Sequence, residues 1–368
     1  MSKFDTDLTG LLENDPLDHE CTSWMVFADK TVSNCNILHK NRDSQTLYSS
    51  VYLSPEGSPR KWIGSGTLPG VNMGMNSSGL AGVMNSGEEY LDPPTDQTKR
   101  STPKIFREIL DTCDTAAQAV EKLREIIASG DYWHKKSGSI FFLMDRNEGF
   151  VCEFTSRFFT VQPYKDGYTV RANIWQNPHM QEQSRIPISK YLNSAARACI
   201  AFSGLNKILD EKGKISLLDI FDLSRHCKTP EESSEKRSLC CFKTNSTASL
   251  EVDRQYPAVL STGYFTIGYP RNTVYVPVPI CAGELPVGMT DETWSRASRK
   301  RYDEQGFDAP MPESWLKYES DFMAKYTAAK ESARKLLDEG KEADAVKLLN
   351  DTAASIWREA EEILGLNA

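Results

Sequence analysis

Cys21, in "HECTSWMVFADK", stands at the head of a run that reads as a β-strand, one of nine cysteines in the chain. A thiol is a weak nucleophile while protonated, with an ordinary pKa of about 8.5, so a working cysteine needs a proton acceptor. The usual acceptor is histidine. His39 falls in a second predicted strand, and His19 lies two residues upstream, where it would leave with any removed leader. The alternative is a chain cut before Cys21, whose released α-amino group, pKa about 7.7–8.0, becomes the base. That solution needs the nucleophile at a strand start, donors that hold an oxyanion and an acidic residue to orient the amine or thiol. Asp43 closes the cluster Lys40-Asn41-Arg42-Asp43 just after the second strand and is placed for that task. The other cysteines read as small buried apolar side chains. No CxxC pair occurs and the five histidines are scattered, so zinc has no support. The adjacent Cys240-Cys241 pair cannot form an unstrained disulfide.

The elements that must position these groups follow from periodicity and turn residues. Strands are expected over 24–27 and 35–39, with a polar turn at Asp29-Lys30 between them. "GVNMGMNSSGLAGVMNSG", 70 to 87, reads as a hairpin with turns at Asn76–Gly79 and Asn85–Gly87. Helical spacing begins near Thr102-Pro103, and a second helix runs from Asp114 to about Gly130. Its buried face is Ala116, Ala119, Val120, Leu123, Ile126 and Ile127. "GSIFFLMD", "GFVCEFT", "FFTVQPY" and "YTVRAN" predict an antiparallel meander ending at Asn173, with Glu153 a buried or pairing residue of the sheet. A helical, polar stretch spans 184–240, followed by strands "STASLEVD", "AVLSTG", "YFTIG" and "TVYVPVPI". The last 55 residues read as two apolar-striped helices around a turn at Glu339-Gly340-Lys341. This order predicts sheets with helices packed outside them.

Composition narrows the function classes. Hydrophobic residues are 39% and charged residues 26%, ordinary for a soluble globular protein. Asp plus Glu number 51 against 43 Lys plus Arg, with no concentrated basic stripe, which argues against nucleic acid. The basic "RASRKR", 296 to 301, reads as a solvated helix face. No stretch approaches the roughly 20 apolar residues of a membrane span. The first 20 residues hold six acidic side chains and no apolar core, unlike an export signal. With an odd number of unframed cysteines, the expected compartment is the cytoplasm.

The segments "CTSWMV…HKNRD", "GMNSSGLAGVMNSG", "GFVCEFT", "VRAN" and "SRI", in this order, resemble the N-terminal-nucleophile hydrolases. The group they are most similar to comprises choloylglycine hydrolase, penicillin V acylase and acyl-CoA:6-aminopenicillanic acid acyltransferase. The resemblance covers roughly residues 21–280, and "GMNSSGLAGVMN" is its most specific piece. It implies an α+β fold, the αββα four-layer sandwich, over 21–310, preceded by a propeptide, 1–20, and followed by a helical hairpin extension, 311–368, like that of related dipeptidases.

The resemblance further implies Cys21 as nucleophile with its own amine as base, and Asp43 as the nearby acidic residue. Asn85 would supply a backbone N–H to the oxyanion, Asn173 a side-chain donor, with Asn177 as the neighbouring alternative. Arg185, in "QSRI", would support the nucleophile's charge. Lys40 and Asn41 support the site; the family pattern has arginine where Lys40 stands, and lysine lacks the planar fork. The implied reaction is attack on a linear amide through an acyl-enzyme, after self-cleavage at Glu20–Cys21, with no metal or organic cofactor. Relatives often carry glycine before the cysteine, so Glu20 is a departure. The substrate is a small-molecule amide or a short peptide, with loops 44–70 and 174–190 shaping its pocket. Homo-oligomerisation is compatible with the sequence. Acyl transfer from the same acyl-enzyme and dipeptide cleavage are the alternatives within enzymes. An unprocessed binding or scaffold protein is the alternative outside them.

Overall fold

The computed structural model describes residues 21–67, 70–89, 96–133, 137–227, 238–306 and 309–366. The expected propeptide and Glu20 lie outside them. The chain opens with β1 (Cys21–Val26) and β2 (Asn36–Asp43), then β3 (Ser50–Leu53), β4 (Trp62–Thr67), β5 (Gly70–Asn76) and β6 (Ala81–Glu89). Helices α1 (Thr102–Thr112) and α2 (Ala116–Ala128) precede strands β7 (Ser137–Met144), β8 (Gly149–Phe154), β9 (Phe159–Tyr164) and β10 (Tyr168–Arg171). Helices α3 (Pro178–Gln181), α4 (Ile188–Lys212) and α5 (Leu217–Ser224) lead to β11 (Thr244–Val252). The chain continues through α6 (Pro257–Leu260), β12 (Thr262–Ile267) and β13 (Val276–Pro279). It closes with α7 (Val287–Thr290), α8 (Thr293–Gln305), α9 (Glu313–Asp338) and α10 (Glu342–Ile363).

Two wholly antiparallel sheets form, in the orders β10-β1-β2-β11-β12-β13 and β3-β4-β5-β6-β7-β8-β9. One apolar core gathers inner-face residues such as Met73, Met75, Val83, Phe142 and Met144 with Trp24, Leu38 and Leu250. A second lies between the seven-stranded sheet and α1 and α2, from Ile105, Phe106, Ile109, Leu123, Phe141 and Phe154. The face predicted for α2 is buried at all six positions, and Thr115 caps it by accepting from the Gln118 N–H. On the other side α4, α9 and α10 pack against strands of the six-stranded sheet. This is the αββα layering expected from the sequence, with the C-terminal helices present.

Four local expectations need correction, and three of these changes build the site. The second strand does not stop at 39 but runs on to Asp43, every residue buried. Residues 85–87 are not a turn but the interior of β6, with a bulge between Ser86 and Glu89. Gly87 is there for closeness: a Cβ would lie 2.6 Å from Trp175 Nε1 and 3.0 Å from the Gly138 carbonyl carbon. The meander breaks after β9, because Gly167, at φ 72°, is tied to the first hairpin. Its carbonyl accepts from Phe27 N–H at 2.9 Å and its N–H donates to Asp29 at 3.0 Å. Strand β10 therefore joins the other sheet beside β1, from Ser23↔Arg171 to Val26↔Tyr168, and carries Asn173 toward Cys21. Finally, "AVLSTG" begins as helix, because Asp253 Oδ1 accepts the N–H groups of Gln255 and Tyr256 and Pro257 takes the first helical turn.

Candidate active site

Cys21 is the first residue of β1 and sits directly across from Arg42 of β2; Ser23 is across from Lys40. Opposed residues of an antiparallel pair share a face, with Cβ atoms about 4.5–5.5 Å apart. One face looks toward the seven-stranded sheet. There Lys40 Nζ donates to the Met84 carbonyl at 2.6 Å and to Asn85 Oδ1 at 2.8 Å, and Ser23 Oγ donates to the same Asn85 oxygen at 2.8 Å. Arg42 reaches Asn72 Oδ1 at 3.1 Å, Asn245 Oδ1 at 2.8 Å and Thr67 Oγ1 at 3.1 Å. On the opposite face Asn41 Nδ2 donates to the carbonyls of Ser224 and Leu239, both at 2.7 Å. Asp43 Oδ1 accepts from Thr244 Oγ1 at 2.5 Å. A strand this polar survives burial because its side chains find fixed partners.

Around Cys21 three atoms are held separately. Its N–H donates to Asn173 Oδ1 at 2.7 Å, and its Sγ lies 4.0 Å from the Asp43 carbonyl oxygen. Its carbonyl accepts from Arg197 Nη1 at 2.7 Å. Arg197 also donates to Thr22 Oγ1 at 2.8 Å, Asn173 Oδ1 at 3.0 Å, Asn193 Oδ1 at 2.9 Å and Ser194 Oγ at 3.2 Å. Asn173 Nδ2 donates to the Ser86 carbonyl at 2.8 Å, which joins β6 to the segment after β10. A cavity of about 180 Å³ opens on this group, bordered by Cys21, Lys40, Arg42, Asp43, Asn72 and Met84, with Ser44, Ser86, Thr102 and Pro103. Strand β6 pairs with β5 only as far as Met73↔Val83, so at Met84 and Ser86 its edge faces the cavity.

The electrostatics are those of a buried cation pair. Burial pulls the Lys40 pKa below its ordinary value, against the opposing pull of the Cys21 thiol and, more weakly, Asp43. Burial likewise lowers Arg42, again offset by Cys21 and Asp43. His39 is no proton acceptor for Cys21: it is stacked on Trp24 at 4.1 Å, bonded to Ser249 and Asn41, and depressed by burial to about 3. Glu153 pairs with Arg171 at 3.3 Å and accepts the N–H groups of Gln176 and Asn177, a structural role. Among the described residues no cluster of His, Cys, Asp or Glu could hold a metal ion.

Of the candidates read from the sequence, the fold brings together Cys21, Lys40, Asp43, Asn85 and Asn173, with Asn41 on the reverse face of the same strand. Asn177 is instead the N-cap of α3. Arg185 is exposed, and the arginine that touches Cys21 is Arg197, fully buried on α4. The expectation for Arg185 is thus corrected by twelve positions, as the spacing after "VRAN" is absorbed by α3 and the α3–α4 connection. Among the described residues, none of 174–190 borders the cavity, whereas Ser44 of the other expected loop does. The signal missed in the sequence was Arg197 itself, a lone arginine in "NSAARACIAF" at the start of an otherwise apolar helical stretch.

Residues 30–243 match the family model described as acyl-coenzyme A:6-aminopenicillanic acid acyl-transferase. The chain belongs to this family. Membership makes it an enzyme of amide hydrolysis or acyl transfer, and the matched span holds Lys40, Asp43, Asn85, Asn173 and Arg197. Among solved structures, it is similar to a variant of conjugated bile acid hydrolase from Clostridium perfringens. Identity there is 12% over 71% of this chain and 92% of that chain, with a TM-score of 0.50. Penicillin V acylase from Agrobacterium tumefaciens is 15% identical over 70% of this chain and 86% of its own, with a TM-score of 0.48. At these identities the likeness to the bile acid hydrolase is one of fold, that of the N-terminal-nucleophile hydrolases. No curated protein matches the chain. Among the described residues no helix is long and apolar enough to cross a membrane.

Proposed function

We propose that this family member cleaves linear amide bonds through an acyl-enzyme on Cys21, after removal of residues 1–20. The observation that supports it most is the three-way hold on Cys21, with N on Asn173, O on Arg197 and the thiol in the cavity beside Lys40 and Asp43. Once free, the α-amine takes the thiol proton and the thiolate attacks the substrate carbonyl carbon. The amine then hands its proton to the leaving nitrogen as the C–N bond breaks, leaving a thioester. Water, activated by the same amine, releases the acid. The Lys40 ammonium offers its third N–H to the thiolate, its other two being held by Met84 and Asn85. Asn173 Nδ2 and the open edge of β6 near Asn85 are the donors nearest the developing oxyanion. Asp43, clamped by Thr244, fixes the end of β2 beside the nucleophile.

Intact-mass measurement tests the reading directly. Wild type is expected to lack residues 1–20, and Cys21→Ala to keep them and cleave no amide. Wild type that retains its first 20 residues and still hydrolyses amides would exclude the amine as base. The family's description favours a second reading, transfer of the acyl group to an amine. Added amine acceptors that divert product from free acid to new amide would establish it.

A further inference from the structure

We propose that Arg42 is a specificity residue that binds a carboxylate of the substrate lying two or three bonds from the scissile amide. The proposal rests on the reading of Cys21 as nucleophile and adds the chemical class of what Cys21 attacks.

A guanidinium has five N–H donors. The other buried arginines of the structure use theirs fully or meet a carboxylate. Arg197 has five acceptors within 3.2 Å. Arg171 pairs with Glu153, and Arg225 with Glu319 at 2.5 Å. Arg42 differs. It is 8% exposed, and its three hydrogen bonds go to neutral oxygens, two of amides and one of a hydroxyl. No carboxylate lies within ion-pair distance of it among the described residues, and two N–H donors remain. Burying a cation this way is costly unless an anion joins it.

The place of Arg42 says which anion. It borders the same cavity as the Cys21 thiol and emerges from the strand position directly across from it. A carboxylate seated on the guanidinium is then within a few bonds of a carbonyl carbon positioned at Sγ. The cavity, about 180 Å³, has room for an amino-acid-sized group there. Lys40, held by Met84 and Asn85, borders the same cavity as Cys21, and in the proposed reaction it serves the thiolate, so the two cations divide the work. Lys40 serves the nucleophile and Arg42 the substrate. Planar, bidentate pairing is what a guanidinium offers a carboxylate. The group sits on the leaving amine, as in an N-acyl amino acid, or on the acyl part, as in a succinamic acid.

The test works with the natural substrate unidentified. Iodoacetate and iodoacetamide alkylate the same thiol and differ by a carboxylate against a neutral amide. Rates at Cys21 are read by peptide mass mapping, with exposed Cys199 as internal control. The iodoacetate-to-iodoacetamide rate ratio at Cys21 is expected to be about 10- to 100-fold higher in wild type than in Arg42→Gln, the worth of one charge-assisted pair. Arg42→Lys should recover part of it, and the ratio at Cys199 should not move. Equal ratios in wild type and Arg42→Gln overturn the proposal. N-hexanoylglycine against N-hexanoylglycinamide, and N-hexylsuccinamate against its methyl ester, then separate the amine side from the acyl side. Equal kcat/KM within both pairs also overturns it. If the ratio at Cys21 holds and no amide is cleaved, the anion site stands and the amidase reading falls.

Discussion

Replacing Arg197 by methionine keeps the aliphatic stem and removes five donors from the centre of the site. The hydroxyls of Thr22 and Ser194 can rotate toward other partners, but the Cys21 carbonyl, Asn173 Oδ1 and Asn193 Oδ1 cannot. A hydrogen bond from a charged donor is worth about 1.5–3 kcal/mol, so losing these three gives about 4–9 kcal/mol. Removing a buried cation recovers part of this, which leaves a net loss of about 3 kcal/mol, at the lower end of what breaking a buried charged network costs. With a urea m-value of about 3 kcal/mol/M, the unfolding midpoint should fall by about 1 M. Activity should fall further, because Asn173 loses one of the two donors to its Oδ1 and shifts relative to Cys21. A displacement of about 1 Å at a reacting centre costs roughly 100-fold. Arg185→Met, on the exposed segment before α4, should change stability by less than about 0.5 kcal/mol and activity by less than about twofold. Urea unfolding and amide turnover of both variants decide the matter. A loss in Arg185→Met as deep as in Arg197→Met, or an Arg197→Met enzyme at wild-type rate and stability, would refute the assignment.

Two further outcomes concern stability. His39 is depressed to about 3 by burial while its unfolded value is 6.5, so the unfolded chain binds the extra proton between those values. Stability should therefore be intact above pH 6.5 and decline as pH falls toward 3. The loss is on the order of 4 kcal/mol, and His39→Gln should flatten that part of a urea-midpoint-against-pH curve. Glu319 of α9 receives both Nη atoms of Arg225 and the Tyr275 N–H at 2.6 Å, all buried. Glu319→Ala should cost about 3–5 kcal/mol and expose α9 and α10 to limited proteolysis, whereas Arg225→Met with Glu319→Leu should regain much of it.

How much of this was legible depended on whether a residue's partners were near in sequence. The α2 face could be read because each buried residue sits one turn from the next, and the capping Thr115 adjoins them. The terminal hairpin was legible for the same reason: the stripe Phe322, Tyr326, Ala329 and Ala333 has helical spacing, and Gly340 accepts a φ of 75° at the turn. The nucleophile stood out only through segments that follow at a distance. The fate of β10 was not legible, because "YTVRAN" has the pattern of one more meander strand, and only the pairing of Gly167 with Phe27 and Asp29 diverts it. That diversion puts Asn173 against Cys21, so the site depends on the step that local pattern could not show.

Strand β2 makes the point most sharply. "NILHKNRD" carries six polar residues among eight, and alternation predicts at most one buried face for such a run. All eight are buried because each face meets a different set of partners: Met84, Asn85 and Asn72 on one, Ser224, Leu239 and Thr244 on the other. Those partners lie between 30 and 201 residues away. No window of sequence contains them, so the strand reads as ending where its last apolar residue ends. Yet a strand meant only for packing would be filled with valine and isoleucine. Burying lysine, arginine and aspartate in one strand beside a thiol costs stability that apolar residues would have supplied. The arrangement makes sense when those charges act on a substrate, and this links the part of the fold least legible in the sequence to the chemistry proposed for it.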